Sequence, residues 1–587
     1  MPFSISLLTP RQVAGLSTTA IISLTTTDIA ALSTAQAAAL TTAQVNAMET
    51  TDLQYLATTQ VAALSPAVIG HLLTLQFDSF LDTQIAGLTA AQVSVLTSSE
   101  IGVLTSTEIQ AFTTTQANAL TARQLGSLST TALGNFSTTQ IGALRTTQVQ
   151  GLTTVQLNAL SVDAFNAVDV VKLTGNQLRG LTTTSVENLT ETQVSALAST
   201  QVATLSAVQL GALSSTEVQA LTTTQASALT SRQLGGLSTT DLGDLSTTQL
   251  GELSTTQLRG LTTLQLNALS TGVIDAVDVT KLSGTQLRGL NTTSIGNLTD
   301  TQVAALTSTE VVLLSATQIG ALSSTEVQSF TTTQASALAG RQLAGLTTTA
   351  LGNFSTTQLG AFSSSQIQGL TTTQLNAASD DVLEAVDLTR LSTGQLRGLN
   401  TTSIGRLTET QVSTLTTTQV SLLGTAQIGA LTSTEIQAFT TTQANALTAR
   451  QLGSLTTTAL GNFSTTQIGA FTTTQVQGLM AHQLNAVPSD VLGALNPARL
   501  SSGQLIGLST TAIGRLAETQ VAAFSTTQVA LLSAAQVGAL TSTEVQAFTT
   551  TQANALTAKQ LAALTSTAFG DFSTRRSVRS ARPRSRP

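Results

Sequence analysis

The chain has 587 residues, of which only 9% are charged and 3% aromatic, with no Cys, no Trp and a net charge of −7. The missing thiols exclude a disulfide frame and thiolate chemistry, and hydrophobic content of 41% excludes the charge-rich, apolar-poor composition of a disordered chain. No run of about 18 apolar residues occurs, so no membrane span is expected, and the start MPFSISLLTPRQ lacks the charged and apolar regions of a signal peptide.

In chain order, an N-terminal lead-in (1–8) precedes a continuous array over 9–572. From Thr9 the sequence divides into octads, among them TPRQVAGL (9–16), TTAQVNAM (41–48) and TSTEIQAF (105–112). The consensus is [ST]-[TS]-T-Q-[VIL]-x-[AG]-[LF], with positions 5 and 8 apolar. Proline appears at position 2 (Pro10, Pro66). TTTQANAL at Thr113 recurs in close copies at Thr222, Thr331, Thr440 and Thr549, a step of 109 residues. That step is thirteen octads plus five residues, and the extra five stand at 169–173, 278–282, 387–391 and 496–500. No boundary marks separate globular domains.

The octad reads as one short helix. Its Ser/Thr and Gln form a capping box, in which the hydroxyl accepts from the N–H three residues on and the Gln reaches back to the cap N–H. Proline at position 2 is the first helical residue, where a missing N–H costs nothing. Positions 5 and 8 then share a face. One continuous helix is excluded, because eight residues leave about 80° of drift per copy and the apolar stripe would wind around the rod. A straight strand would send positions 5 and 8 to opposite faces. The fold expected is all-α: a solenoid of very short helices, each supported only by its neighbours. The alternative is a β-solenoid with a bend inside each octad, favoured by Thr and Val. The five-residue inserts are expected to add a little over one helical turn, with Asp and Lys or Arg at i,i+3, altering curvature once per block.

The tail after Phe572 breaks register and ends RRSVRSARPRSRP (575–587). Deleting one nucleotide from codons for T-Q-I-G-A-L-S-T-T-Q-V-Q-A-L yields those thirteen residues and a stop. The tail (573–587) is therefore read as a disordered, frameshifted repeat, and a C-terminal secretion signal would be lost with it.

Little catalytic chemistry is available. The only imidazoles are His71 and His482, over 400 residues apart, and repeat drift accounts for both. Hydroxyls abound but have no recurrent base. Asp169, Asp278 and Asp387 are single copies one block apart, not a carboxylate pair. Arg179, Arg288 and Arg397 could form a sparse basic ridge, which Ile506 interrupts in the fourth block. No catalytic, cofactor-binding or metal-binding residues are assigned and no cofactor is expected.

L-T-x-x-Q-V-x-A-L looks like the opening helix of TAL-effector repeats, but an octad unit and an acidic array exclude DNA reading. Over 9–572 the chain is similar to very large bacterial Thr/Ser-rich repeat exoproteins of the adhesion or haem-utilisation type. That resemblance implies secretion or surface display and a stalk or adhesive role. It supplies no haem site, since imidazole is scarce and the single Tyr is Tyr55. The expected function is thus a non-enzymatic spacer or adhesin with multivalent weak binding to glycans, cell surfaces or neighbouring copies, and not to nucleic acid. A Thr-array lattice binder of the ice-binding kind, or a passive repeat-expansion product, are the alternatives.

Overall fold

Thr9 opens the first octad in extended backbone, accepts from the Gln12 N–H, and starts the helix Pro10–Ala14. The same event recurs along the chain. The computed structural model describes residues 5–570, and every octad from Thr9 to Leu564 contains one α-helix of four to six residues, sixty-seven in all. No strand occurs among the described residues, so the β-solenoid alternative is wrong. The tail 573–587 lies outside the described residues.

Each helix stops where position 8 turns extended, as at Met48 (ψ 144°) and Leu104 (ψ 136°). No described residue has positive φ, so glycine is not needed for the turns. Instead the next Ser/Thr cap restarts the helix. Exposure follows the octad: in 331–338 positions 1–3 and 6 are exposed, 4, 5 and 8 are buried, and 7 is half-buried. Positions 5 and 8 form the core expected from sequence, for instance Val93 and Leu96 at 0% and 2% exposure. The burial of position 4 was not expected.

The helices stack in a superhelix with a short repeat. A helix packs against the one three octads later, while the position-4 Gln reaches back four octads, so a turn holds between three and four segments. The described residues fall into two compact units, Met1–Leu298 and Thr299–Pro587, and the division lies between two ordinary octads. Close approach inside a stack explains the small residue at position 7. A Cβ on Gly151 would stand 2.6 Å from the Ala122 carbonyl oxygen, and one on Gly369 would stand 2.4 Å from the Gly340 Cα.

The five-residue inserts are not extra turns. Each holds a three-residue 3-10 helix, such as Val170–Lys172, and occupies one full segment of the stack. Gln177, just beyond the first insert, donates to Val149 and Leu152, 28 and 25 residues back. Between ordinary octads the separations are 31 and 28, as from Gln92 to Val61 and Leu64. The insert is therefore an octad without its first three residues, and a block is fourteen segments long. Its Asp169 caps the 3-10 turn by accepting from the Val171 N–H at 3.2 Å. The ion pairs expected at i,i+3 are present at 3.4, 3.4 and 2.9 Å in the first three inserts.

Candidate functional site

The most heavily used side chain is the position-4 Gln, and its work is structural. In octad 89–96, Gln92 Oε1 accepts from the Thr89 N–H at 2.8 Å, the half of the capping box that the sequence implies. Its Nε2 donates at 2.8 Å to both the Val61 and Leu64 carbonyls, four octads back. These carbonyls belong to the C-terminal end of a short helix, where backbone acceptors run short of partners: among the described residues Val61 accepts locally only from the Leu64 N–H, and Leu64 from no local donor. One amide thus joins the start of one helix to the end of another.

At the inserts and in the second octad after each, where the Gln is missing, other groups take over its tasks. Lys172 donates to Leu144 at 2.8 Å and Lys281 to Leu253 at 3.3 Å, each four segments back. Arg390 and Arg499 do the same to Phe362 and Phe471. In octad 182–189 position 4 is Ser185, and the cap N–H of Thr182 is bound by Asn158 Oδ1 at 3.0 Å instead. Asn158 Nδ2 also donates to Gly180 at 2.9 Å. Asn267, Asn376 and Asn485 repeat this staple in the later blocks. Sequence reasoning missed this whole layer. Its available signal was the persistence of Gln where Glu would suit a helix N-terminus better.

Acidic residues at position 4 show what the amide provides. Glu100 Oε2 accepts from the Thr97 N–H at 2.6 Å, but its Oε1 has no hydrogen-bond partner, and the residue is only 2% exposed. Burial pushes the Glu100 carboxyl above its usual range, against the hydrogen bonds from Thr97 and the charge of His71. Burial likewise raises Asp52, aided by the neighbouring charge of Glu49. Asp278 is shifted the other way, chiefly by the hydrogen bond from the Thr280 hydroxyl.

The residues weighed for chemistry do not converge. His71 and His482 are both exposed, and His71 Nδ1 lies 2.8 Å from the Ala67 carbonyl oxygen of its own octad. Tyr55 is exposed. Arg179, Arg288 and Arg397 all face solvent. Asp169, Asp278 and Asp387 are each occupied by their own insert. Among the described residues no group of three or more His, Cys, Asp or Glu could hold a metal ion, and no helix is long and apolar enough to cross a membrane.

The exposed side chains are mostly hydroxyls. An open groove between stacked octads of the second unit is lined by Ser308, Thr332, Thr333, Ser336, Ala337 and Ala361. These residues come from three octads that sit one above another at three-segment intervals. Position 1 hydroxyls serve as caps, so positions 2 and 3 are the ones offered to solvent.

Three stretches match the ALTTAQ repeat. The matched residues are 123–154, 236–271 and 381–417. The third ALTTAQ match runs through the insert at 387–391, which fits the insert's place as a shortened segment. The chain is a repeat protein. No curated protein matches it. Among solved structures it is similar, at 10% identity and a TM-score of 0.13, to a homology model of the full-length AP-3 complex in an intermediate open conformation. That similarity covers 98% of this chain and 86% of the other, and at such a score carries no argument.

Proposed function

We propose that the chain is a non-enzymatic repeat scaffold, displayed on a cell surface or secreted, that binds through many weak and nearly identical hydroxyl-bearing patches. The observation that carries this reading is the division of labour within the octad. Gln is consumed in joining segments and the first hydroxyl in capping its own helix, while the hydroxyls at positions 2 and 3 are left toward solvent and meet across stacked turns, as at Ser308, Thr332 and Thr333. Such groups suit hydrogen bonding to glycans. Each contact is weak, and repetition along one scaffold raises avidity without any strong single site. The Thr lattice of the ice-binding kind is expected on β coils, and no strand occurs among the described residues, so the adhesive reading is preferred.

The test is binding of the full chain to surfaces of graded glycan density. Retention should rise more steeply than density, and a monovalent sugar should compete poorly. Binding strictly proportional to density, or none to any glycan surface, would refute the proposal.

A further inference from the structure

The stacking turns a scattered charge pattern into two opposed columns. In Met1–Leu298, octads 9–16, 41–48, 65–72, 89–96, 121–128 and 145–152 form one continuous column, followed by 174–181, 206–213, 230–237, 254–261 and 283–290. Each step is either a direct helix contact three segments on or a Gln bond four segments on, as from Gln44, Gln124, Gln177, Gln209 and Gln286. All seven arginines of this unit lie on that column and none lies elsewhere. Arg11 stands at its head, then Arg123, Arg145 and Arg179, then Arg232, Arg259 and Arg288, all exposed. No Asp or Glu occurs in any of these octads, and among the described residues none of the seven forms an ion pair.

A second column runs through octads 25–32, 49–56, 81–88, 105–112 and 137–144, then 161–168, 190–197, 214–221, 246–253 and 270–277. Its steps are of the same two kinds, by helix contact and by Gln84, Gln140, Gln193 and Gln249. It contains no Lys, Arg or His. It exposes Glu49, Asp82, Asp163, Glu191 and Glu252. Every octad of this column lies two segments from a ridge octad, roughly half of a turn that holds three to four; Asp78, Glu100, Glu187, Asp241 and Asp244 stand in octads outside both columns. The two lysines of this unit, Lys172 and Lys281, sit in inserts and are paired with their own Asp169 and Asp278.

We propose that copies of this chain associate side by side, the arginine ridge of one against the acidic column of the next. Both columns advance one step per superhelical turn, roughly 10 Å at helix-packing distances, so facing charges stay in register over many turns. A nucleic acid, with one charge per about 1.7 Å of duplex axis, does not share this pitch. The contact is heterologous, since two different faces meet, and it leaves each end of a pair free to recruit another copy. Exposed charge pairs are individually weak, and their number and spacing set the specificity. The unit Thr299–Pro587 carries a sparser acid-free column with Arg341, Arg397, Arg450 and Lys559.

Sedimentation velocity of the full chain tests this. Self-association should be present at about 20 mM salt and weaken at least about tenfold by about 300 mM, where the screening length falls well below the pitch. The ridge variant Arg123→Glu/Arg232→Glu/Arg288→Glu and the acidic-column variant Asp82→Lys/Asp163→Lys/Glu191→Lys should each lose self-association. Mixing the two should restore association between them, which also shows that both are folded. A chain that is monomeric at low salt, self-association that survives both reversals, or a ridge that retains heparin without pairing copies would overturn the proposal. Glycan-density binding is measured at about 300 mM salt, where pairing is screened, so the adhesive reading and the pairing fail separately.

Discussion

Replacing Gln92 by Leu removes an amide of similar volume from a site with 0% exposure. Two backbone groups lose their partner outright: the Thr89 N–H, in an exposed residue, and the buried Leu64 carbonyl. The Val61 carbonyl loses one of two, because it still accepts from the Leu64 N–H. At about 1–3 kcal/mol for the orphaned buried carbonyl and about 1 kcal/mol for the exposed cap bond, the substitution should cost about 2–4 kcal/mol. The loss is local, since a repeat array need not unfold as one unit and a global midpoint would dilute it. Amide hydrogen exchange over 57–96 is the suitable assay, where that cost corresponds to roughly 30-fold to 10³-fold faster exchange. Gln12 is the control: its Oε1 makes the same bond to the Thr9 N–H at 2.8 Å, but the residue is exposed, and Gln12→Leu should cost no more than about 1 kcal/mol. Unchanged exchange at 57–96 in Gln92→Leu would refute the argument that the amide joins segments four octads apart.

Four further outcomes are expected. Gly369→Ala, whose Cβ would stand 2.4 Å from the Gly340 Cα, should destabilise its stack by about 1–3 kcal/mol, whereas Gly352→Ala, with nothing within 4 Å, should be neutral or stabilise by up to about 1 kcal/mol; chemical denaturation with exchange mapping reads both. For Glu100 the folded carboxyl is raised, so the folded chain holds its proton more tightly than the unfolded chain; the stability penalty of the charged form is complete above the folded value and disappears as pH falls through the unfolded value near 4.5. Local protection around 97–104 should therefore rise on acidification, and Glu100→Gln should raise it at neutral pH and flatten the dependence. Asp278 is shifted downward, so its contribution is present above the unfolded value of 3.8 and is lost as pH falls through the folded value; exchange over 278–282 should speed up on acidification and Asp278→Asn should abolish that response. Arg390→Met removes both the bond to the Phe362 carbonyl and the ion pair to Asp387, and should cost about 1–3 kcal/mol by the same exchange assay.

The local half of this architecture was legible in the sequence. The Ser/Thr cap, the Pro at position 2 and the apolar residues at 5 and 8 specify one short helix per octad, because those interactions span at most four residues. The longer half was not legible, because octad periodicity says nothing about how many segments make a turn. Without that number, Gln92 is a capping residue with an idle amino group, and its partners at Val61 and Leu64 are invisible. The inserts were misread for the same reason: Asp169 to Leu173 look like an addition when counted in residues and a substitution when counted in segments. The arginine ridge was glimpsed through Arg179, Arg288 and Arg397, which share a place in the block. Arg123, Arg145, Arg232 and Arg259 occupy other places, and only the stacking brings them into line.

The bond from each Gln to the helix ends four segments earlier is indifferent to which copy stands at either end. Loss or gain of a whole octad by unequal crossing-over leaves every donor with an acceptor, so the gene can change length without passing through a misfolded product. A deletion of one or two residues has no such protection. Selection on the fold therefore quantises the permitted changes, and the blocks of fourteen segments are what an array able to grow by copying itself would leave behind.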